Sequence, residues 1–246
     1  MRVVSKVLQC YFNFAYMPVY DLITAHFDAY QKLHNKCVDK LELDDGDKIL
    51  CAGVGTGNEV TNVLDIGKKI SIVGVDNSYT ALRKARQKAI ACGKEIEIVP
   101  MDVQNLEFTT GFFDKVLCLH VMDWVEDESK ATAEIMRVLK DGGKFVITYP
   151  ADKENINLGF KILRDSFLSN GNRGKFGTIY PLLLATLLGG IVYLPLLFRP
   201  QRRTNSRLEL ETILSEVANG SLQIEEYPLY NDYIVYGRKQ VSKGGI

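Results

Sequence analysis

The sequence predicts an α/β protein built on a doubly wound, mostly parallel sheet of seven strands. Between Lys48 and Pro150, short apolar runs alternate with helical stretches, the pattern of a parallel sheet with right-handed crossovers. A glycine-rich turn follows the first apolar run. Two further apolar runs near the carboxyl terminus are typical of a closing antiparallel pair.

Each predicted strand of the core is a short, continuous apolar run, which indicates burial on both faces of the sheet. The runs are KILCAGV (48–54), ISIVGVD (70–76), IEIVPMD (96–102), FDKVLCLHV (113–121) and GGKFVITYP (142–150). Helices are predicted over 78–91 and from Asp127 to a glycine stop at Gly142–Gly143. The runs LQIEEYPLY and YIVYGRK, joined around 231–232, are predicted to form the closing pair.

The composition divides the chain into four parts, and 246 residues suffice for one domain with a sizeable insertion. We expect an amino-terminal helical arm, an α/β core, an apolar and basic helical insert, and a final helix with the closing strands. Their predicted bounds are 1–45, 46–150, 151–206 and 207–246.

Charge and cysteine usage exclude several classes of protein. The 30 basic and 30 acidic residues balance, so no overall field attracts nucleic acid. The 5 cysteines are widely spaced and form no C-x-x-C pair, which favours a reducing cytoplasm over a disulfide framework or a zinc site. The 3 histidines do not cluster in the sequence, and the amino terminus lacks a signal-peptide pattern. We therefore expect a cytoplasmic protein without a metal.

The glycine-rich turn reads KILCAGVGTGNEV and has glycine at every second position, at Gly53, Gly55 and Gly57. A dinucleotide fingerprint requires a glycine at the position of Asn58, and no Gly-Lys-Ser/Thr follows for a phosphate-binding loop. The spacing keeps the chain tight beneath a ligand but no longer indicates a pyrophosphate on the helix amino terminus.

Two carboxylates follow the next two predicted strands. Asp76, at the end of the second, is placed to accept hydrogen bonds from both hydroxyls of a ribose. Asp102, at the end of the third, is placed to accept from an exocyclic adenine amine. Together with the glycines they predict an adenosyl ligand without phosphates. The alternatives are a helix cap for Asp76, a role for which Asn77 and Ser78 are better placed, and a simple turn for Asp102.

These segments resemble the class I S-adenosylmethionine-dependent methyltransferases. ILCAGVGTG, GVDNS, MDVQNLEF, FDKVLCLHVMDWVED and EIMRVLKDGGKFVITYP match the successive motifs of that family in order, over roughly 45–150. The preceding FAYMPVYDLI is similar to the amino-terminal arm of the branch that methylates quinone and other lipid-like precursors.

The resemblance implies a Rossmann-like methyltransferase fold with S-adenosyl-L-methionine as the cofactor. It implies that the glycines line the methionine and ribose portion, that Asp76 binds the ribose, and that Asp102 with Val103 frames the adenine. Most members carry an acidic residue where this sequence has Cys51, an acid that helps to anchor the methionine ammonium. Its absence predicts a compensating polar group or a weaker affinity. The predicted cofactor-binding residues are Cys51, Gly53, Gly55, Gly57, Asp76, Asn77, Asp102, Val103 and His120.

The residues predicted to act on the methyl acceptor are His120, Asp123 and Tyr20. His120 follows the fourth strand, where it serves as a general base, contacts the methyl donor, or is a hydrogen-bonded structural histidine. Asp123 either lies near the acceptor or begins the next helix. Tyr20, like Tyr11 and Tyr16, either faces the sulfonium through cation–π attraction or packs the arm.

The insert differs in composition from the rest of the chain. Ile179–Phe198 has 20 positions without a charge, and a helix of that length spans about 30 Å, a bilayer core. From Lys161 to Arg207 there are 8 cations and 1 anion. Prolines and glycines interrupt the apolar run, which favours a helical hairpin dipping into one leaflet over a single span. The alternative is a lid or dimer surface buried in protein.

The sequence therefore predicts a methyltransferase that acts on a hydrophobic, membrane-resident small molecule, such as a quinone precursor, a prenyl lipid or a phospholipid. We expect peripheral membrane association through 179–207. The sequence does not decide whether the insert also forms a homodimer interface. One alternative is a methyltransferase of a soluble metabolite with a dry lid, and another is a non-catalytic adenosyl-binding scaffold. Nucleic acid is not expected as a partner, because no motif for holding a flipped base is present.

Overall fold

The computed structural model describes residues 20–21, 24–25, 28–94, 96–151, 204–217, 222–228 and 231–241. Within these residues the helices are α1 (Asp28–Leu41), α2 (Asn58–Asp65), α3 (Tyr79–Ala91), α4 (Glu128–Val138) and α5 (Arg207–Val217). The strands are β1 (Lys48–Ala52), β2 (Ser71–Asp76), β3 (Glu97–Pro100), β4 (Phe113–Cys118), β5 (Leu139–Pro150), β6 (Gln223–Tyr227) and β7 (Asp232–Arg238).

The strands form one seven-stranded sheet in the order β3-β2-β1-β4-β5-β7-β6. The strands β1 to β5 pair in parallel, and β7 runs antiparallel to both β5 and β6. This topology confirms the predicted doubly wound sheet and its closing antiparallel pair. The carboxyl ends of β1, β2, β3 and β4 therefore lie at one edge, where ligands bind in open α/β sheets.

The sheet is buried on both faces, which explains why its strands read as continuous apolar runs. Alternate residues of β1 point to opposite sides, so that Leu50 belongs to one buried cluster and Ile49 to the other. The first cluster includes Ile135 of α4 and Leu214 of α5. The second includes apolar side chains of α1, α2 and α3, among them Val63.

The predicted helix from Asp127 to Gly142–Gly143 is wrong at its carboxyl end. Helix α4 ends at Val138, and Leu139 already has the extended backbone of β5, with φ −76° and ψ 134°. Leu139 pairs with Phe113 and is fully buried, so the sheet captures it before the helix reaches the glycines. The tertiary pairing outweighs the helical pattern of the segment.

The two ends of the insert are held together at the carboxyl end of β5. Ala151 and Asn205 form an isolated parallel bridge, and the Asn205 N–H donates to the Pro150 carbonyl at 2.9 Å. The chain therefore leaves the sheet after β5 and returns at the same place. The apolar run 179–198 lies outside the described residues. Among the helices that are described, none has the length and apolar character needed to cross a bilayer.

Candidate active site

The glycine-rich turn follows β1 and depends on backbone angles that favour glycine. Gly53, Gly55 and Gly57 have φ angles of 71°, 51° and 83°. A Cβ atom on Gly57 would lie 2.8 Å from the Cα of Ala85 in α3. A Cβ atom on Gly53 would lie 2.2 Å from Cγ2 of Val121, in the turn after β4. The missing side chains therefore let the loop pack against two neighbouring segments, α3 and the turn after β4.

Asp76 ties this loop to the end of β2. Its Oδ2 accepts a hydrogen bond from the Gly55 N–H at 2.9 Å, and its Oδ1 accepts from the Ser78 N–H at 2.7 Å. The cap of α3 is supplied by Ser78, whose Oγ accepts from the Ala81 N–H at 3.3 Å. Burial raises the pKa of Asp76, against the lowering effect of these backbone hydrogen bonds. Each carboxylate oxygen has more than one lone pair, so acceptor capacity remains for ligand hydroxyls.

A cleft of about 390 Å³ lies beside Asp76, between the ends of β2 and β3. Asp102 lines this cleft, and it also closes its own turn, since its Oδ1 accepts from the Gln104 N–H at 2.9 Å. Val103 is 6 % exposed and packs in the core. The predicted residues Asn77 and Asp102 therefore meet at one cleft, whereas Val103 supports it from behind. The lining residues are Asn77, Tyr79, Pro100, Met101, Asp102, Asn105 and Glu107.

Cys51 lies in β1 directly beneath the glycine loop. Its side chain is fully buried and belongs to the apolar cluster under α1, α2 and α3. Burial raises the pKa of the thiol, and the carboxyl of Glu59 and the thiol of Cys118 raise it further. The group at this position is therefore a neutral thiol, which cannot balance a cation.

His120 lies in the loop after β4 and has a strained backbone, with a φ of 56°. Its N–H donates to Oγ1 of Thr148 in β5 at 2.8 Å. Its ring Nδ1 lies 3.1 Å from Oδ2 of Asp232, at the start of β7. A non-glycine residue in this conformation persists only where the surrounding contacts hold it, which is common at functional sites.

The His120 ring stacks against two rings of α1. The centroid of Tyr30 lies 5.4 Å away with an interplanar angle of 17°, and that of His34 lies 5.3 Å away with an angle of 25°. The phenol oxygen of Tyr20 lies 2.9 Å from that of Tyr30, so the arm residue Tyr20 is linked to His120 through one ring. Asp123 is half-buried in the turn after β4. Tyr11 and Tyr16 lie outside the described residues.

A second group of contacts joins the arm to the glycine loop. Asp21 accepts hydrogen bonds from Oγ1 of Thr56 at 2.5 Å and from Nζ of Lys88 at 2.8 Å, and it also pairs with Lys84 at 3.3 Å. Burial acts to raise the pKa of Asp21, but Lys88, Thr56 and Lys84 together hold it below its usual range. The aspartate is therefore held ionised on the outer side of the loop.

Sequence reasoning missed Asp21, Tyr30, His34 and Asp232. Tyr30 and His34 are four residues apart on α1, a spacing that places two rings on one helix face. Their partner His120 lies far away in the sequence, so only the fold brings the three together. His34 is fully buried, and burial followed by the charges of His120 and Lys88 holds its pKa well below the usual range. Among the described residues, no cluster of three or more potential ligands could hold a metal ion.

Comparisons with known proteins show the family to which the chain belongs. Residues 50–147 match the family described as a methyltransferase domain. A demethylmenaquinone methyltransferase of Thermus thermophilus is 33 % identical over 168 residues, which cover 65 % of this chain and 76 % of that protein. A sterol 4-C-methyltransferase of Caenorhabditis elegans is 28 % identical over 160 residues, which cover 62 % of this chain and 48 % of that protein. The chain spans about half the length of the first curated relatives that it matches.

Solved structures of S-adenosylmethionine-dependent methyltransferases have a similar fold. The crystal structure of an S-adenosylmethionine-dependent methyltransferase from Aquifex aeolicus has a TM-score of 0.57 and 15 % identity, covering 89 % of this chain and 92 % of that one. The fold and the site thus define an α/β protein with a site for an adenosyl ligand. The chain belongs to the class I S-adenosylmethionine-dependent methyltransferases, and its cofactor is S-adenosyl-L-methionine.

The residues present fit this cofactor. The turn built on three left-handed glycines leaves room for a ligand backbone, and the Asp76 carboxylate retains acceptor capacity for ribose hydroxyls. The cleft lined by Asn77 and Asp102 lies on the next strand, where the adenine is expected. The neutral Cys51 does not supply the charge expected at its position.

We predict that Gly57→Ala lowers cofactor affinity at least tenfold, because the new methyl group displaces the loop from α3. The matched control is Gly46→Ala, since Gly46 has a φ of 93° but a Cβ atom there would meet no described atom within 4 Å. Both variants share a backbone strain of about 1–2 kcal/mol. Thermal unfolding and calorimetric titration measure the two effects, and equal affinities in both variants would contradict the prediction.

Proposed function

We propose that this protein transfers a methyl group from S-adenosylmethionine to a hydrophobic small molecule held at a membrane surface. The observation that carries the proposal is the position of the insert. Its two ends meet where Ala151 pairs with Asn205. Ala151 lies three residues after Thr148, whose Oγ1 accepts the hydrogen bond from the His120 N–H. The apolar and basic segment therefore begins and ends beside the candidate acceptor site.

The names of the relatives support the same class of acceptor. One is named for a sterol and another for demethylmenaquinone, and both names denote apolar molecules. The aromatic surroundings of His120, formed by Tyr30 and His34, are compatible with an apolar ring system. A quinone precursor, a prenyl lipid or a phospholipid is the proposed acceptor class.

The cofactor supplies an electrophilic methyl group on a sulfonium when it is bound. The task of the chain is to hold donor and acceptor in line within a dry pocket, which accounts for most of the acceleration in such reactions. The glycine loop, Asp76 and the Asn77–Asp102 cleft hold the donor. We propose that His120 accepts a proton from an acceptor hydroxyl or activated carbon, and that Asp232 orients its ring from the Nδ1 side. Tyr20 and Asp123 are proposed to border the acceptor.

Electrostatics favours an anionic membrane as the place where the acceptor is met. The segment from Lys161 to Arg207 carries 8 cations and 1 anion in a chain of net charge zero. Each cation near an anionic membrane surface contributes about 1 kcal/mol to the free energy of membrane binding. We propose peripheral attachment through 179–207 on the cytoplasmic side of a membrane.

We predict that His120→Gln lowers kcat for methyl transfer about a hundredfold, because it removes the proton acceptor. Two roles were predicted for His120, and we propose the one on the methyl acceptor. Cofactor affinity is therefore expected to stay unchanged in this variant. Asp232→Asn is the matched positioning variant and is expected to lower kcat less, with a changed pH–rate profile. Transfer of labelled methyl groups to lipid extracts measures kcat. An equal loss of cofactor affinity in His120→Gln would assign His120 to the cofactor instead.

We predict that replacing Arg199, Arg202 and Arg203 together with serine weakens binding to anionic liposomes about a hundredfold, from about 1 kcal/mol for each cation. The matched control replaces the exposed residues Lys32, Lys68 and Lys94 with serine, which removes the same charge elsewhere. Co-sedimentation with phosphatidylglycerol-containing vesicles measures the binding. Equal losses in both variants would indicate a non-specific effect, and no vesicle binding by the wild type would favour a soluble acceptor.

A further inference from the structure

Glu59 is a buried carboxyl group directly behind the glycine loop. It lies in the first turn of α2, two residues after Gly57, and is only 7 % exposed. Within the described part of the chain, the hydrogen bond to its carboxyl comes from its own backbone N–H. A buried carboxylate needs a compensating charge or several donors, so this arrangement is incomplete for the ionised form.

The charged and titratable groups that face Glu59 come from four elements. Asp76 of β2 and Lys88 of α3 act on its carboxyl, and its carboxyl acts on the thiols of Cys51 in β1 and Cys118 in β4. Burial raises the pKa of Glu59 to about 8, Asp76 adds to the rise, and Lys88 opposes it.

The nearby ammonium of Lys88 does not neutralise Glu59. It donates to Asp21 at 2.8 Å and to Oγ1 of Thr56 at 3.3 Å, and it also binds Oδ1 of Asn58. At neutral pH the Glu59 carboxyl is therefore mostly protonated until another cation comes close.

We propose that Glu59 replaces the carboxylate missing at Cys51 and binds the ammonium group of the cofactor's amino-acid portion. The inference rests on S-adenosylmethionine as the cofactor and adds a residue outside the glycine motif to its site. Glu59 follows the loop that is expected to line the methionine portion, and its side chain is buried in the first turn of α2 instead of pointing to the surface. The carboxyl has moved from the strand to the first turn of the following helix.

The proposal has a measurable consequence in protons. On binding, the Glu59 carboxyl gives its proton to the solvent and becomes a carboxylate, while the ammonium keeps its own protons. Because a nearby cation favours the charged form of an acid, binding releases close to one proton at pH 7. Affinity therefore rises by up to about tenfold between pH 6 and pH 7, and the rise ends near pH 8, where the α-amino group of the cofactor itself loses its proton.

The experiment is calorimetric titration at pH 7 in two buffers of different ionisation enthalpy, which counts the protons released. Wild-type protein and Glu59→Gln are titrated with S-adenosylmethionine and with 5′-deoxy-5′-methylthioadenosine, which has the adenosyl portion but no amino-acid ammonium. We expect Glu59→Gln to bind S-adenosylmethionine about thirtyfold more weakly and without proton release. Its affinity for methylthioadenosine should equal that of the wild type.

A second variant tests whether a carboxylate at position 51 can replace the one at position 59. Adding Cys51→Asp to Glu59→Gln returns a carboxylate to the strand and is expected to restore most of the lost affinity. Unchanged affinity and proton count in Glu59→Gln would overturn the proposal, and so would equal losses for both ligands, which indicate a structural role. A wild-type protein that binds neither ligand would contradict the cofactor itself, and a protein that binds both without proton release would contradict Glu59 alone.

Discussion

The two hydrogen bonds that the Asp76 carboxylate accepts hold the cofactor edge of the sheet together. They join the Gly55 N–H in the glycine loop to the Ser78 N–H at the start of α3, through a side chain at the end of β2. Hydrogen bonds to a charged acceptor contribute about 1.5–3 kcal/mol each. The same carboxylate thus sets the shape of the loop and presents acceptor capacity to a ligand.

Asn58 connects this arrangement to the proposed acceptor site. This residue breaks the dinucleotide fingerprint, and in the structure its Nδ2 donates to the phenol oxygen of Tyr30 at 3.3 Å. Its Oδ1 accepts from Lys88, which also binds Asp21 of the arm. Tyr30 in turn stacks on His120. The arm, the glycine loop and the candidate base His120 are therefore joined in one network of contacts. Loss of an arm contact is expected to disturb both the glycine loop and His120.

The sequence was sufficient to predict the strands and the glycine loop, because continuous apolar runs and glycine spacing are local signals. It indicated Asn77 and Ser78 as better candidates than Asp76 for the helix cap, and in the structure Ser78 supplies that cap. It failed at Leu139, where pairing with Phe113 decides the conformation. It also missed Asp232 and His34, since their contact with His120 depends on how distant segments pack. The sequence predicted a polar group that compensates for Cys51 but did not identify it. Glu59 is proposed for that role because the structure shows it to be buried, which distinguishes it from an ordinary surface acid.

The most direct test is a calorimetric titration of the purified wild-type protein and of Asp76→Ala with S-adenosylmethionine, with circular dichroism to confirm that both are folded. We expect micromolar binding to the wild type. In Asp76→Ala the affinity should fall about thirtyfold or more, which corresponds to a loss of about 2 kcal/mol from hydrogen bonds to a charged acceptor. Absence of binding to the folded wild type at millimolar cofactor would contradict the account, and equal affinities would remove Asp76 from the site.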